Sequence, residues 1–218
     1  MTFAPLTAPP RALPTRLYDW LRGVRADWRA ARALADHARA PSVPPPHALK
    51  VSVLRELAAR FGLRTLVETG TFEGEMVRRC RGAFERIVSI ELDPGYAARA
   101  ARRFAGDAGV EIWEGDSAAV LPAVIATLRG PALYWLDGHF SGPGTARGDS
   151  DTPLAAELDA IVRRGVPGDV VLVDDARELG RGDYPTLEDL ARRIAPLHPA
   201  GSVEVRDDIV RCLPASRA

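Results

Sequence analysis

Residues 135–141 read W-L-D-G-H-F-S and residues 169–175 read D-V-V-L-V-D-D. Both are apolar runs that stop abruptly at acids. Asp137 and His139 stand two apart after the first run, and Asp174 and Asp175 close the second. Carboxylates held within a few ångströms of one another repel unless one is protonated or a cation lies between them. Oxygen-only donors favour a hard ion such as magnesium, manganese or calcium. A histidine beside such acids can be a ligand or a general base near neutral pH. Each piece also has a plainer reading. Asp137 can face a cofactor or substrate without a metal, Asp174-Asp175 can cap a loop, and His139 can be solvated.

A second group lies upstream. Glu68-Thr69-Gly70-Thr71-Phe72-Glu73-Gly74 follows the apolar stretch T-L-V. Gly70 and Gly74 allow a tight turn and close backbone approach to a ligand. The dinucleotide pattern G-x-G-x-x-G is absent, and the acid before Gly70 would repel a pyrophosphate. Glu91 ends the next apolar run, where an acid roughly 20 residues on can grip a ribose through its hydroxyls. Asp116-Ser117 follows a third run and can bond the edge of a base. Three acidic strand ends and a two-glycine loop describe a nucleoside pocket with no phosphate cradle.

These residues need elements to hold them. The pattern predicts strands at 65–70, 86–91, 110–114, 132–137 and 169–174, alternating with helices. The helices are expected at 48–61, 74–82, from Asp93-Pro94 to Gly106, at 117–128, from Thr152-Pro153 to Gly165, and at 185–195. S-V-E-V-R and I-V-R-C-L flank Asp207-Asp208 and read as a tight hairpin. Strand–helix alternation implies a parallel sheet covered on both faces. The expected fold is therefore α/β, a Rossmann-like doubly wound seven-stranded sheet, mostly parallel with a C-terminal antiparallel hairpin. Ligands bind such sheets beyond the carboxyl ends of the strands, where every residue singled out above falls.

Residues 1–46 form an extension. Residues 1–13 are rich in Pro and Ala and are expected to lack regular structure. Residues 15–38 carry Leu17, Trp20, Leu21, Val24, Trp28, Ala31 and Ala35 on one helical stripe. P-S-V-P-P-P at 41–46 is a stiff break before the domain at 47–218.

V-E-T-G-T-F-E-G, S-I-E-L-D and W-E-G-D-S resemble the successive cofactor motifs of class I S-adenosylmethionine-dependent methyltransferases. That resemblance implies that Glu68, Gly70, Thr71, Phe72 and Gly74 line the cofactor. It also implies that Glu91 binds the ribose diol and that Asp116 and Ser117 lie by the adenine. L-D-G-H-F-S, T-P-L-A-A-E-L-D-A-I and P-G-D-V-V-L-V-D-D-A further resemble the metal-dependent macrocin O-methyltransferase type. By that resemblance Asp137, Asp174 and Asp175 hold magnesium and a small-molecule hydroxyl, of sugar or phenol type, takes the methyl. The sugar enzymes tend to carry an aspartate where this chain has His139, which is the proposed base. Gly142, Gly144 and Gly148 suit a mobile loop over the substrate. Arg147 and Arg177 read as solvated, with an acidic acceptor as the alternative. The rival readings are metal-independent transfer to another acceptor and a non-catalytic cofactor-binding module.

Bulk properties exclude other classes. Formal net charge is +0, which gives no basic excess for a nucleic-acid partner. Of the 29 basic residues only Lys50 is lysine, an arginine bias read as nucleotide composition and not as a binding surface. Cys80 and Cys212 are expected buried and reduced in the cytoplasm. No window approaches the roughly 18 apolar residues of a membrane span. The aromatic helix 15–38 is a candidate homodimer contact.

Overall fold

The computed structural model describes residues 3–6, 16–138 and 152–215, with side chains of 16–27 left out. Within these residues the chain forms α1 (Arg16–Arg39), α2 (His47–Phe61), β1 (Thr65–Thr69), α3 (Glu75–Cys80), β2 (Arg86–Glu91), α4 (Pro94–Phe104) and β3 (Val110–Glu114). It continues with α5 (Ser117–Ala126), β4 (Leu133–Leu136), α6 (Leu154–Arg164), β5 (Val170–Val173), α7 (Leu187–Ile194), β6 (Ser202–Arg206) and β7 (Ile209–Leu213). The strands make one sheet of order β3-β2-β1-β4-β5-β7-β6. β1 to β5 are parallel, and β7 runs antiparallel to both β5 and β6.

Side-chain alternation builds the two cores. On β4, Leu133 and Trp135 face one side while Tyr134 and Leu136 face the other. On β5, Val170 and Leu172 oppose Val171 and Val173. The first face is covered by α2, α3 and α4, through residues such as Leu54, Val77 and Phe104. The second is covered by α5, α6 and α7, through Leu121, Leu158 and Leu190. A strand buried on both faces has no polar alternation to show, which is why β4 and β5 read as continuous apolar runs.

Helix boundaries follow their caps. Asp93 accepts from the Tyr96 amide at 2.8 Å, with Pro94 at the first helical position. Asp116 accepts from the Ala118 amide and Thr186 from the Asp189 amide. Such caps satisfy amides that a helix's first turn leaves without partners. The Asp207-Asp208 turn has φ of 55° and 60°, which pairs with the right-handed twist of a two-residue hairpin.

A short 3-10 helix, Ala176–Glu178, follows β5. Residues 3–6, expected to be irregular, line the outer edge of β3. Pro5 bridges Trp113 antiparallel, and the Leu6 amide donates to the Ile112 carbonyl at 2.7 Å. Covering an edge strand in this way blocks its pairing with other chains. On α1, Trp28 belongs to the expected apolar stripe yet is 64% exposed. Among the described residues no helix is long and apolar enough to cross a membrane.

Leu158 is fully buried between α6 and the sheet. Leu158→Ala is expected to lower unfolding stability by about 2–5 kcal/mol, read from urea unfolding. A loss below about 1 kcal/mol would mean that α6 is not packed as described.

Candidate active site

The parallel strand order reverses between β1 and β4, so a crevice opens beyond their carboxyl ends. The Asp137 amide donates to the Thr69 carbonyl at 3.2 Å, which ties the two strand ends together. Gly70 has φ of 86°, and a Cβ there would lie 2.5 Å from the Asp137 carbonyl oxygen. Only glycine fits, because β4 leaves no room for a side chain. A Cβ at Gly138 would lie 3.1 Å from Thr69 Oγ1 and 3.4 Å from Ser117 Oγ. The ends of β1 and β4 and the start of α5 therefore meet at one point.

Glu91 braces the loop after β1. Its Oε2 accepts from the Phe72 amide at 2.6 Å and its Oε1 from the Asp93 amide at 2.9 Å. Phe72 has φ of 46°, in the left-handed region, and that bond holds it there. Its ring is 47% exposed and stacks at 4.5 Å on Tyr96. Gly74 has φ of 70° and precedes the first residue of α3.

Glu68 and Thr71 point inward. Ser89 on β2 donates to Glu68 Oε2 at 2.5 Å, and Thr71 Oγ1 lies 2.5 Å from the same hydroxyl. Glu68 is 2% exposed, and burial pushes its carboxyl up to about 8. It is neutral at pH 7. Its side chain thus joins the loop to β2 from below.

The acids after β4 and β5 meet an unexpected partner. Asp137 and Asp174 follow adjacent strands, and the Asp174 amide donates to the Leu136 carbonyl at 3.0 Å. Lys50 reaches across from α2, and its ammonium donates to Asp174 Oδ2. The same nitrogen lies 3.8 Å from Asp175 Oδ1 and 5.9 Å from the centre of the Trp135 ring. The Asp174 side chain is 1% exposed and that of Lys50 13%. Burial alone would lower the Lys50 pKa, but Asp174, Asp137 and Asp175 overcome it and the net shift is upward. Burial lifts the Asp174 carboxyl above its ordinary value although Lys50 pulls it the other way; the direct contact pairs the two groups. Asp174 Oδ1 is buried and has no hydrogen-bond partner among the described residues.

Asp175 has φ of 53° and accepts from Arg177 Nη1 at 2.8 Å. Arg177 also bonds Asp208, whose carbonyl accepts from the Ala176 amide at 2.8 Å. Arg177 is therefore neither simply solvated nor available for an acceptor; it locks the β5 loop to the hairpin turn. Among the described residues, no group of three His, Cys, Asp or Glu side chains is placed to hold a metal ion. His139, Arg147 and the glycine-rich stretch 141–151 lie outside the described residues.

No family model matches the chain, and no curated protein does. Solved structures do match. The O-methyltransferase from Bacillus cereus in complex with SAH aligns at a TM-score of 0.55 and 17% identity, over 84% of this chain and 90% of that one. SAH-bound methyltransferase PaMTH1 from Podospora anserina gives 0.53 and 18%, over 94% and 98%. O-methyltransferase TomG from Streptomyces achromogenes, in complex with SAM, gives 0.53 and 21%, over 85% and 89%. The fold is the Rossmann-like methyltransferase fold. In a methyltransferase fold the residues meeting at Thr69, Ser117 and Gly138 lie on the ligand-bearing edge of the sheet.

Lys50 and Ser89 escaped the sequence reading. Lys50 had one signal, as the single lysine among 29 basic residues. Ser89 had none beyond interrupting an apolar strand. Both cysteines are buried free thiols, and burial pushes each up to about 12.

Glu68 gives a pH test. Its folded pKa of about 8 exceeds the ordinary 4.5, so the folded state holds the proton more tightly. Stability from this group is full below the unfolded value and is lost as pH rises through the folded one, by at most about 1.4 kcal/mol per pH unit. Glu68→Gln keeps a neutral partner for Ser89 and should flatten the decline. Urea unfolding at pH 5 and pH 8 checks this; equal declines in both proteins would refute it.

Proposed function

We propose that this chain transfers a methyl group from S-adenosylmethionine to a hydroxyl of a small molecule, of sugar or phenol type. The observation that carries the reading is the meeting of the β1, β4 and α5 ends at Thr69, Gly138 and Ser117, flanked by Glu91 and Asp116. Neighbours of the same fold named as O-methyltransferases, with SAH or SAM bound, support the cofactor and the reaction class. The catalytic unit is residues 47–218, with 1–46 as an appendage. A dimer contact through α1, where Trp28 is exposed, belongs to the same proposal.

When bound, S-adenosylmethionine supplies a methyl activated on a sulfonium, which leaves as the thioether once the acceptor oxygen has taken the methyl. The chain's task is to align acceptor, methyl and sulfur. Glu91 would accept from the ribose hydroxyls while keeping its bonds to the Phe72 and Asp93 amides. Asp116 and Ser117 would face the adenine. Gly70 would let the backbone approach the cofactor. Glu68 and Thr71, joined through Ser89, would set the loop's depth. Asp137 would accept a hydrogen bond from the acceptor hydroxyl and His139 would take its proton.

Magnesium, implied by the resemblance, does not fit the donor set as it stands. Lys50 holds Asp174 Oδ2 and lies 3.8 Å from Asp175 Oδ1, and Arg177 bonds that same Asp175 oxygen. No step is routed through a metal here, and the donor set favours the metal-independent form of the reaction.

Calorimetric titration with S-adenosylhomocysteine tests the cofactor. Binding is expected in the wild type, with Glu91→Gln weaker by about tenfold for a lost charge-assisted hydrogen bond. A wild type that gives no binding heat would sink the reading. With an accepted hydroxyl substrate, Asp137→Asn is expected to lower kcat by about 100-fold without weakening S-adenosylhomocysteine binding. An unchanged kcat would remove Asp137 from the chemistry.

A further inference from the structure

The rim beside the cofactor crevice holds three acids, yet its cation comes from the chain itself. Lys50 is separated from Asp174 by 124 positions, and it is the only lysine in the sequence. Its ammonium touches Asp174 and lies 3.8 Å from Asp175. Asp174 Oδ1, buried and without a partner among the described residues, adds a second oxygen at the same place. Two carboxylates beside the Lys50 ammonium, one of them shared with Arg177, and a third acid on the adjacent strand end make an oxygen donor set of the type hard ions take. We infer that Lys50 occupies the seat of a divalent ion, so that a fixed ammonium replaces the metal in this protein and the Lys50→Met change opens a divalent-cation site.

The physical argument is one of competition. A unit positive charge held against Asp174 repels an incoming divalent ion at close range, and in a partly buried site that repulsion is large. An ammonium can do part of an ion's work. It neutralises the acids and can donate a hydrogen bond to an acceptor oxygen. It binds no water as a Lewis acid and cannot be chelated away. Lys50 is thus a positioning residue for the rim, fixed from α2, where Leu54 and Leu57, four and seven residues on and on the same helical face, are packed in the core.

The inference rests on reading this rim as the acceptor side of the crevice, but its test uses neither cofactor nor acceptor. Manganese is the probe, with free Mn(II) followed by its electron paramagnetic resonance signal and thermal unfolding run with Mn(II) or EDTA. The wild type is expected to bind no Mn(II) and to unfold at the same temperature in both. Lys50→Met should bind Mn(II) at least about 100-fold more tightly than the wild type. Its unfolding temperature should fall in EDTA and recover with Mn(II). Lys50→Arg keeps the charge and should behave as the wild type. Adding Asp174→Asn to Lys50→Met should abolish the new binding.

Three results would overturn the inference. One is wild-type Mn(II) binding that Asp174→Asn removes. Another is a folded Lys50→Met protein that binds no Mn(II). The third is failure of both Lys50→Met and Lys50→Gln to fold even with Mn(II), since the ion should replace the lost charge. S-adenosylhomocysteine titration of the wild type, run beside these, separates a failed methyltransferase reading from a failed Lys50 assignment.

Discussion

An ammonium from α2 set against two acids at the end of β5 is the contact on which the rim depends. Without Lys50, Asp174 would be an almost wholly buried acid with no cation of its own, beside an Asp175 that Arg177 alone would hold. Breaking a buried pair by removing one partner costs about 3–5 kcal/mol, mostly from the charge left behind. The contact also links distant parts of the chain. α2 precedes the first strand, while β5 lies beyond the point where the strand order turns back. The pair therefore fixes the helix that roofs one face of the sheet to the loops that would receive a substrate.

Around that pair, backbone geometry does most of the positioning. Gly70 lets β4 pass against the first loop, Glu91 holds Phe72 in its left-handed conformation, and Arg177 joins Asp175 to the hairpin. The ends of β1 and β2 and the ends of β4 and β5 differ in how charge is handled. At the first, Glu68 escapes its charge by taking a proton, while Glu91 shares its own between two amides. At the second, ammonium and guanidinium groups meet the acids directly.

The sheet was legible in the sequence because its strands are short apolar runs separated by helices, several of them opened by a capping side chain or closed by a glycine. Asp93-Pro94 and Asp207-Asp208 are local signals, each decided by a few neighbouring atoms. The candidate site was legible to the extent that it sits at strand ends. Asp137, Asp174 and Asp175 could be placed on one rim from strand adjacency alone. What they do there could not, because their neutralising partner arrives from 124 positions away and obeys no spacing rule. The bond from Ser89 to Glu68 was hidden for a similar reason, since Ser89 lies on another strand. Residues 3–6 looked irregular because a single bridge to β3 needs no periodic pattern.

The hairpin turn carries a consequence for how the molecule is made. β7 lies between β5 and β6, and the turn before it supplies the Asp208 groups that hold Ala176 and Arg177. A growing chain can complete the five parallel strands and both helical layers before that turn has been synthesised. The crevice at the ends of β1 and β4 is then already in place, but the β5 loop still lacks its anchor. The two parts of the rim are therefore completed at different moments of synthesis, the second only when the last hairpin is threaded in.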